Sequence, residues 1–358
     1  LIVELNRSCL VCKINMKKII VTGGSGFIGS NLIQLLLKKK YFVINIDKSS
    51  YSANPYNVKD FKKNKNYLFF KLDINQNKII YKILRKYKPI GIFNLAAETH
   101  VDRSIDNAES FIKTNVLGVY NLLEAIRNLD LKTRNKLKFL QVSTDEVYGD
   151  IPKNKLASED YNYNPSSPYS ASKAGADQLV RSYGRTYRIK TLIANPCNNY
   201  GPNQFPEKFI PKMIFNILNN KALPIYGKGN NVREWIYVKD NCEGLLKIFL
   251  KGKIGKSYNI GTGIRYKNID IVKKLLKLSK KNKIKLSNKN KIMFVIDRPG
   301  HDERYALNCS RIRREIGWKH KTQILEGLSK TVVWYSKNLN YFKKISKKNI
   351  TKRLGVKL

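Results

Sequence analysis

The stretch Thr22-Gly23-Gly24-Ser25-Gly26-Phe27-Ile28-Gly29 decides how this chain is read. It lies between a β-rich run at 18–22 and a helical stretch at 27–37, which read as strand and helix. Glycines 24, 26 and 29 satisfy G-x-G-x-x-G, and glycines 23, 26 and 29 satisfy the wider G-x-x-G-x-x-G. A turn without Cβ atoms lets backbone amides and the positive helix end approach a pyrophosphate, and Gly29 lets the helix pack close on the sheet. A strand before and a helix after make this a dinucleotide cradle centred on Gly23, Gly26 and Gly29.

The alternation continues outward from the cradle. Strands are expected at 42–47, 67–72, 91–96 and 137–143, with helices at 79–87 and 117–128. Repeated βα units imply an α/β fold, a Rossmann-type doubly wound parallel sheet with its ligands at the carboxyl ends of the strands. Asp47 ends the second strand, roughly 20 residues beyond the cradle, where an acid accepts hydrogen bonds from ribose hydroxyls. Its charge repels a 2′-phosphate, so NAD+ is favoured over NADP. Asp73 and Ile74, then Leu95, Ala96 and Ala97, close the third and fourth strands and are placed to flank the dinucleotide.

After Asn195 the texture changes, with Pro202, Pro206, Pro211, Pro224, Gly227 and Gly229 punctuating the chain. The expected organisation is a dinucleotide domain over 16–195, with 235–250 returning to it. A smaller substrate-binding α/β lobe takes 196–234 and 251–340, and 341–358 form a basic tail. Within the lobe, Ile271, Val272, Leu275 and Leu276 recur at helical spacing and read as a core-facing stripe. Residues 1–15 lack a continuous apolar run and a small-residue cleavage site, so they read as an extension outside the fold.

Two constellations carry chemistry. Tyr169-Ser170-Ala171-Ser172-Lys173 places a phenol and an ammonium four residues apart, on one face of a helix. The ammonium is expected to depress the phenol's high pKa, so that Tyr169 takes a proton from a substrate alcohol as its hydride leaves. Ser143-Thr144-Asp145-Glu146 follows the fifth strand, whose end lies over the nicotinamide in such sheets. Thr144 is suited to hold the oxygen being oxidised. The adjacent Asp145 and Glu146 can be driven apart in pKa, one protonated as an acid and one ionised as a base, which suits removal of water across a C–C bond.

Taken together, these segments resemble the dTDP-glucose 4,6-dehydratases, a branch of the extended short-chain dehydrogenases/reductases. The resemblance runs from about residue 17 to 334. It also rests on Leu95-Ala96-Ala97-Glu98-Thr99-His100-Val101-Asp102-Arg103-Ser104, Asn198-Asn199-Tyr200-Gly201-Pro202, Pro206-Glu207-Lys208, Asn231-Val232-Arg233-Glu234-Trp235 and Asp297-Arg298-Pro299-Gly300-His301-Asp302. It implies an internal redox cycle on a nucleotide sugar. Tyr169 deprotonates the C4 hydroxyl, NAD+ takes and later returns the hydride, Glu146 removes the C5 proton and Asp145 protonates the departing C6 hydroxyl.

The same resemblance implies cofactor positions at Phe27, Ile28, Asp47, Lys48, Ser49, Ser50, Asp73, Ile74, Thr114 and Asn199, besides Tyr169 and Lys173. It places substrate contacts at Thr99, Asn198, Lys208, Phe209, Arg233, Asn268, Arg298, His301 and Asp302, with Pro224, Ile225 and Tyr226 around the base. Lys208, Arg233 and Arg298 are suited to a diphosphate on charge alone. The family suggests a homodimer. This chain departs from the family at Asn195-Pro196-Cys197, where Arg then Cys is usual, and at Glu234, where Asp is usual. A nucleotide-sugar epimerase or decarboxylase would share the cradle and the Tyr/Lys pair without needing adjacent carboxyls. A GDP-mannose dehydratase would show one Glu there and favour NADP.

Composition bounds the alternatives. The 358 residues include 69 Lys plus Arg against 26 Asp plus Glu, a formal net charge of +43. Such a surface attracts polyanions. However, 53 of those cations are Lys and only 16 are Arg, the commoner reader of base edges. The lysines are spread through every segment instead of lining one face with aromatics, so no nucleic-acid partner is expected. With 42% hydrophobic residues the chain can build a sizeable core. No apolar run is long enough to span a bilayer. Five cysteines form no disulfide framework, the Cys9/Cys12 pair lacks the βα context of a redox motif, and no metal site is expected. A reducing cytoplasm is the simplest compartment.

Overall fold

The structure, a computed structural model, describes residues 16–343 together with Ile345. The expectations placed on residues 1–15, on the Cys9/Cys12 pair and on the chain beyond 345 lie outside the described residues.

The described residues form twelve strands: β1 Lys18–Thr22, β2 Phe42–Asp47, β3 Tyr67–Lys71, β4 Gly91–Asn94, β5 Lys138–Val142, β6 Lys190–Pro196, β7 Asn198–Tyr200, β8 Leu223–Tyr226, β9 Val232–Tyr237, β10 Ser257–Ile260, β11 Arg265–Lys267 and β12 Ile292–Val295. Seven of them form one sheet in the order β10-β6-β5-β4-β1-β2-β3. Every pairing in it is parallel, with Ile20 opposite Ile44 on one side and Ile92 on the other. Successive strand residues point to opposite faces. Ile19, Val21, Phe93 and Leu140 therefore pack against the helices Phe27–Lys38 and Val238–Lys251. Ile20, Ile44, Ile92 and Phe139 pack against Asn77–Tyr87, Gly118–Arg127 and Pro168–Tyr187. Burial on both faces explains why these strands read as continuous apolar runs. The strand order reverses between β1 and β4, so the crevice outside their carboxyl ends is the natural ligand site.

A three-stranded sheet (β11-β9-β7) and a two-stranded sheet (β12-β8) build the second lobe. Its core gathers Ile214, Leu223, Ile225, Ile271, Val272, Leu275 and Tyr335. Leu276 of the expected stripe is only partly buried at its edge.

The boundaries need correction. Trp235 to Tyr237 lie in the lobe's sheet, so the return begins with the helix at Val238. It does not end at 250. β10 joins the main sheet beside β6, with Ser257 opposite Ile193, and the helix Ser310–Ile316 buries Ile312 and Ile316 in the same core. Nor does the tail begin at 341. The short helix Asn340–Lys343 buries Tyr341, whose carbonyl accepts from Asn54 Nδ2 at 3.2 Å and whose hydroxyl donates to the Asn203 carbonyl at 2.9 Å.

Candidate active site

The cradle turns directly out of β1. Gly23 adopts φ +66°, and a Cβ there would lie 2.7 Å from the Ala96 amide nitrogen. A Cβ on Gly29 would lie 2.3 Å from the Gly23 carbonyl oxygen. The following helix starts at Gly26 with no side-chain cap and no acid in its first turn, so the helix end presents its positive pole to the crevice. Gly29→Val is therefore expected to weaken NAD+ binding at least roughly tenfold, because the helix must shift away from the turn. A fluorescence titration of NADH checks this.

Asp47 closes β2 and is buried. Its Oδ2 accepts from the Ser25 amide at 2.9 Å and its Oδ1 from the Ser49 amide at 2.7 Å. Burial pushes its pKa up, and the two amide bonds, with Lys48, work against that rise. Each oxygen keeps a second lone pair for a ribose hydroxyl. Lys48 donates to the Thr114 hydroxyl at 3.0 Å and pairs with Glu98 at 3.2 Å. Thr114 sits on a π-helical stretch, Ile112–Leu117, a distortion frequent at functional sites.

Two cavities open along the crevice. The first, about 260 Å³, is lined by the cradle (Gly23, Gly26, Phe27, Ile28, Gly29), by Asp47, Lys48, Ser50, Asp73, Ile74 and Leu95 to Ala97, and by Thr114 and Asn199. Ser49 alone of the expected cofactor residues does not line it. Its φ of +59° makes the turn that brings its amide to Asp47. Thr99, Thr144, Asp145, Glu146, Tyr169 and Lys173 close the inner end. The second cavity, about 540 Å³, is lined by Phe209, Pro224, Tyr226, Arg233, Asn268, Arg298 and His301. Glu146, Asn198 and Lys208 border both.

Thr99 and Thr144 line only the first cavity, and two expected substrate residues line neither. Ile225 is 1% exposed in the lobe core, because alternation along β8 sends its neighbours Pro224 and Tyr226 to the cavity and Ile225 away from it. Asp302 is buried behind the wall, accepting from Ser166 Oγ at 2.6 Å and from the Tyr305 hydroxyl at 2.5 Å. Its carbonyl accepts from Arg233 Nη2 at 2.8 Å, and the guanidinium lies 4.1 Å from the centre of the Tyr305 ring. Tyr305, Trp235, His100, Gln204 and Glu207 line the cavities without having been anticipated. Glu207 stood inside a recognised motif, but its partners Tyr51 (3.0 Å) and Arg103 (3.1 Å) come from far upstream in the chain.

The helix Pro168–Tyr187 begins with Ser167 and Ser170 in a reciprocal capping box and Pro168 at its start. Tyr169 and Lys173 follow on one face. The expected depression of the phenol is not what the structure shows. Burial pushes Tyr169 well above its ordinary range and Glu146 adds to this, while the Thr144 hydroxyl opposes it. Lys173 Nζ donates to the Val142 carbonyl at 2.7 Å, and burial pulls the ammonium down to about 8.

A lysine with a depressed folded pKa binds fewer protons than in the unfolded chain between about pH 8 and 10.5, so the folded state gains stability as pH rises through that window. Below it the cost of burying the charge is fully present. The stability of Lys173→Met relative to the parent is thus expected to fall by roughly 3 kcal/mol between pH 7 and pH 10.5. Urea unfolding of both proteins across that range checks it.

Asp145 and Glu146 open a short 3₁₀ turn, Asp145–Tyr148, after Thr144, whose hydroxyl accepts from the Glu146 amide at 3.3 Å. Burial raises Asp145 well above the carboxylate range, and the charges of Glu146 and Glu234 push it further. Its Oδ2 is buried and finds no hydrogen-bond partner among the described residues, so only the Thr144 hydroxyl on Oδ1 and the Arg233 charge oppose the rise. Glu146 is also raised by burial, but Arg298, Lys208 and Arg233 oppose that rise. Both neighbours are thus raised, Asp145 further than Glu146, because cations oppose the rise more fully at Glu146.

A parallel sheet with a glycine cradle, a Tyr/Lys helix and two adjacent buried carboxyls over the crevice defines an extended short-chain dehydrogenase/reductase. The GDP-mannose 4,6 dehydratase family profile matches residues 20–331. A dTDP-glucose 4,6-dehydratase of Haemophilus influenzae is 44% identical over 332 residues, 89% of this chain and 98% of that protein. The dTDP-glucose 4,6-dehydratase 1 of Escherichia coli K12 is 43% identical over 342 residues, 90% and 94% respectively. The crystal structure of the Bacillus anthracis dTDP-glucose 4,6-dehydratase in complex with NAD superposes with a TM-score of 0.83 at 38% identity, covering 92% of this chain and all of that one. DesIV, a dTDP-glucose 4,6-dehydratase from Streptomyces venezuelae, gives 0.85 at 37% identity, covering 92% and 100%. This chain belongs to the dTDP-glucose 4,6-dehydratase family.

Proposed function

We propose that the enzyme is an NAD-dependent hydro-lyase that converts dTDP-glucose to dTDP-4-keto-6-deoxyglucose and water. One observation carries this reading: Asp145 and Glu146, adjacent and raised to different extents, line the cofactor cavity, and Glu146 also borders the second cavity where Arg298, Lys208 and Arg233 face it. Redox chemistry at a sugar hydroxyl alone has no use for such a pair.

NAD+ held in the glycine cradle would accept the hydride from C4, and the NADH so formed would return it to C6. Tyr169 accepts the C4 hydroxyl proton, and Thr144 holds the C4 oxygen. Burial raises the phenol, so a negatively charged phenolate is strongly basic and Lys173 is the group that offsets its charge. The resulting ketone acidifies C5, Glu146 takes that proton, Asp145 gives its own to the departing C6 oxygen, and the proton on Glu146 goes back to C5 as hydride reaches C6. Lys208, Arg233 and Arg298 hold the diphosphate, with Pro224 and Tyr226 toward the base.

Assay of dTDP-, UDP-, GDP- and CDP-glucose by NMR tests the reading. The 4-keto-6-deoxy product is expected fastest from dTDP-glucose. A C4 epimer in its place would contradict the dehydratase assignment. A faster reaction with UDP-glucose would overturn the base preference alone.

We also propose a cytoplasmic homodimer. Among the described residues no helix is long and apolar enough to cross a membrane. Ile112, Leu117 and Tyr120, 51%, 46% and 40% exposed along one helical stretch, form the kind of apolar face that a second copy would cover.

A further inference from the structure

The second cavity, whose cations suit a diphosphate, contains a carboxylate with no place in the chemistry above. Asp102, 5% exposed, lies in the first turn of the helix Val101–Asp106 and lines the cavity wall. Its two oxygens are divided between two groups of the opposite lobe. Oδ1 accepts from Arg298 Nη1 at 2.8 Å, and Oδ2 accepts from the Tyr226 hydroxyl at 2.7 Å. A negative charge beside a bound diphosphate is unfavourable unless a cation consumes it. Here the ion pair with Arg298 is nearly dry, with side chains 15% and 7% exposed. Burial alone would raise the Asp102 carboxyl, but His100, Arg298 and Tyr226 outweigh it and hold the group below the usual range.

The helix that carries Asp102 is tied to the rest of the site. Ser104 Oγ accepts from the Tyr169 amide at 3.1 Å, at the start of the catalytic helix. Arg103 Nε donates to Glu207 at 3.1 Å, beside Lys208. Asp102 thus stands on a short element registered to the catalytic tyrosine and reaches across the crevice to two substrate-facing side chains 124 and 196 residues away in the chain.

We infer that Asp102 is a positioning residue that presets Arg298 and Tyr226 for the nucleoside diphosphate. Resting on the proposed reading of the second cavity, this adds to the reaction a residue that moves no proton. Arg298 is a long side chain whose freedom is removed before substrate arrives, so the ordering cost is not met on binding.

Because the carboxylate acts on ground-state binding, its loss should raise KM and leave kcat nearly unchanged. Asp102→Asn keeps the shape but removes the charge and turns an amide donor toward one of its two partners. We expect KM for the nucleotide sugar and Kd for dTDP to rise about tenfold or more, with kcat within about twofold and NAD+ affinity retained. In an Arg298→Ala background the same substitution should cost little further affinity, since the group it orients is gone. Asp102→Glu, which keeps the charge one methylene further out, should give an intermediate KM, and it carries the test if Asp102→Asn does not fold.

A parental KM and dTDP affinity in Asp102→Asn, or in Asp102→Glu where only that variant folds, would overturn the inference. So would losses that simply add to those of Arg298→Ala. Failure of the unaltered enzyme to bind any nucleoside diphosphate would instead defeat the underlying reading of the cavity, and the inference with it.

Discussion

Asp145→Asn is expected to leave oxidation at C4 nearly intact and to slow the loss of water on the order of 10²–10⁴-fold, the range set by a positioned general acid. Asparagine matches the protonated carboxyl in size and in lack of charge, and that neutral form is the one burial selects here. The substitution therefore removes a transferable proton with little change in local field. In a single turnover with dTDP-glucose, NADH absorbance should rise and persist while the C6 hydroxyl stays on the sugar. Equal slowing of NADH formation and of water loss would show that Asp145 acts on the first step and would remove it from the role of acid.

Tyr169→Phe should fail one step earlier. The phenol, 7% exposed at the inner end of the first cavity, is the group proposed to take the C4 hydroxyl proton, and its removal is expected to slow NADH formation on the order of 10²–10⁴-fold. Elimination is then not reached, because C5 is not acidic until C4 is a ketone. NAD+ affinity should be kept, since the cradle and Asp47 are untouched. The two variants are told apart by one trace: Asp145→Asn accumulates NADH and Tyr169→Phe does not. NADH formation at the parental rate in Tyr169→Phe would transfer the base role elsewhere.

What could be read in the chain before its structure follows from how local each signal is. The strand at 18–22, the cradle and the helix after it are contiguous, and their periods and glycines are dictated by one turn of backbone. The Tyr169/Lys173 and Asp145/Glu146 pairs are equally local. β10 was not legible, because four residues, Ser257–Ile260, are too few to show a period, and only pairing with β6 makes them a strand of the main sheet. The exclusion of Ile225 from the cavity depends on which face of β8 meets the core, a fact of packing.

Electrostatics was the least legible layer. An i,i+4 ammonium was expected to depress the Tyr169 phenol, but burial acts more strongly on both groups, and the Val142 carbonyl takes the Lys173 proton donor. Asp302 matched a substrate position in sequence, yet its side chain supports the wall through Ser166 and Tyr305. The ion pair of Asp102 with Arg298 joins residues 196 positions apart, a distance at which no motif spacing carries information.

In the proposed cycle one hydride leaves C4 and returns to C6 of the same sugar, with water lost in between. dTDP-glucose deuterated at C4 tests it most directly when the product is followed by NMR. The expected product is a 4-keto-6-deoxy sugar nucleotide with the deuterium in its C6 methyl group, formed with no net consumption of NAD+. Deuterium retained at C4 of an epimer, or left on the cofactor in stoichiometric amount, would contradict it.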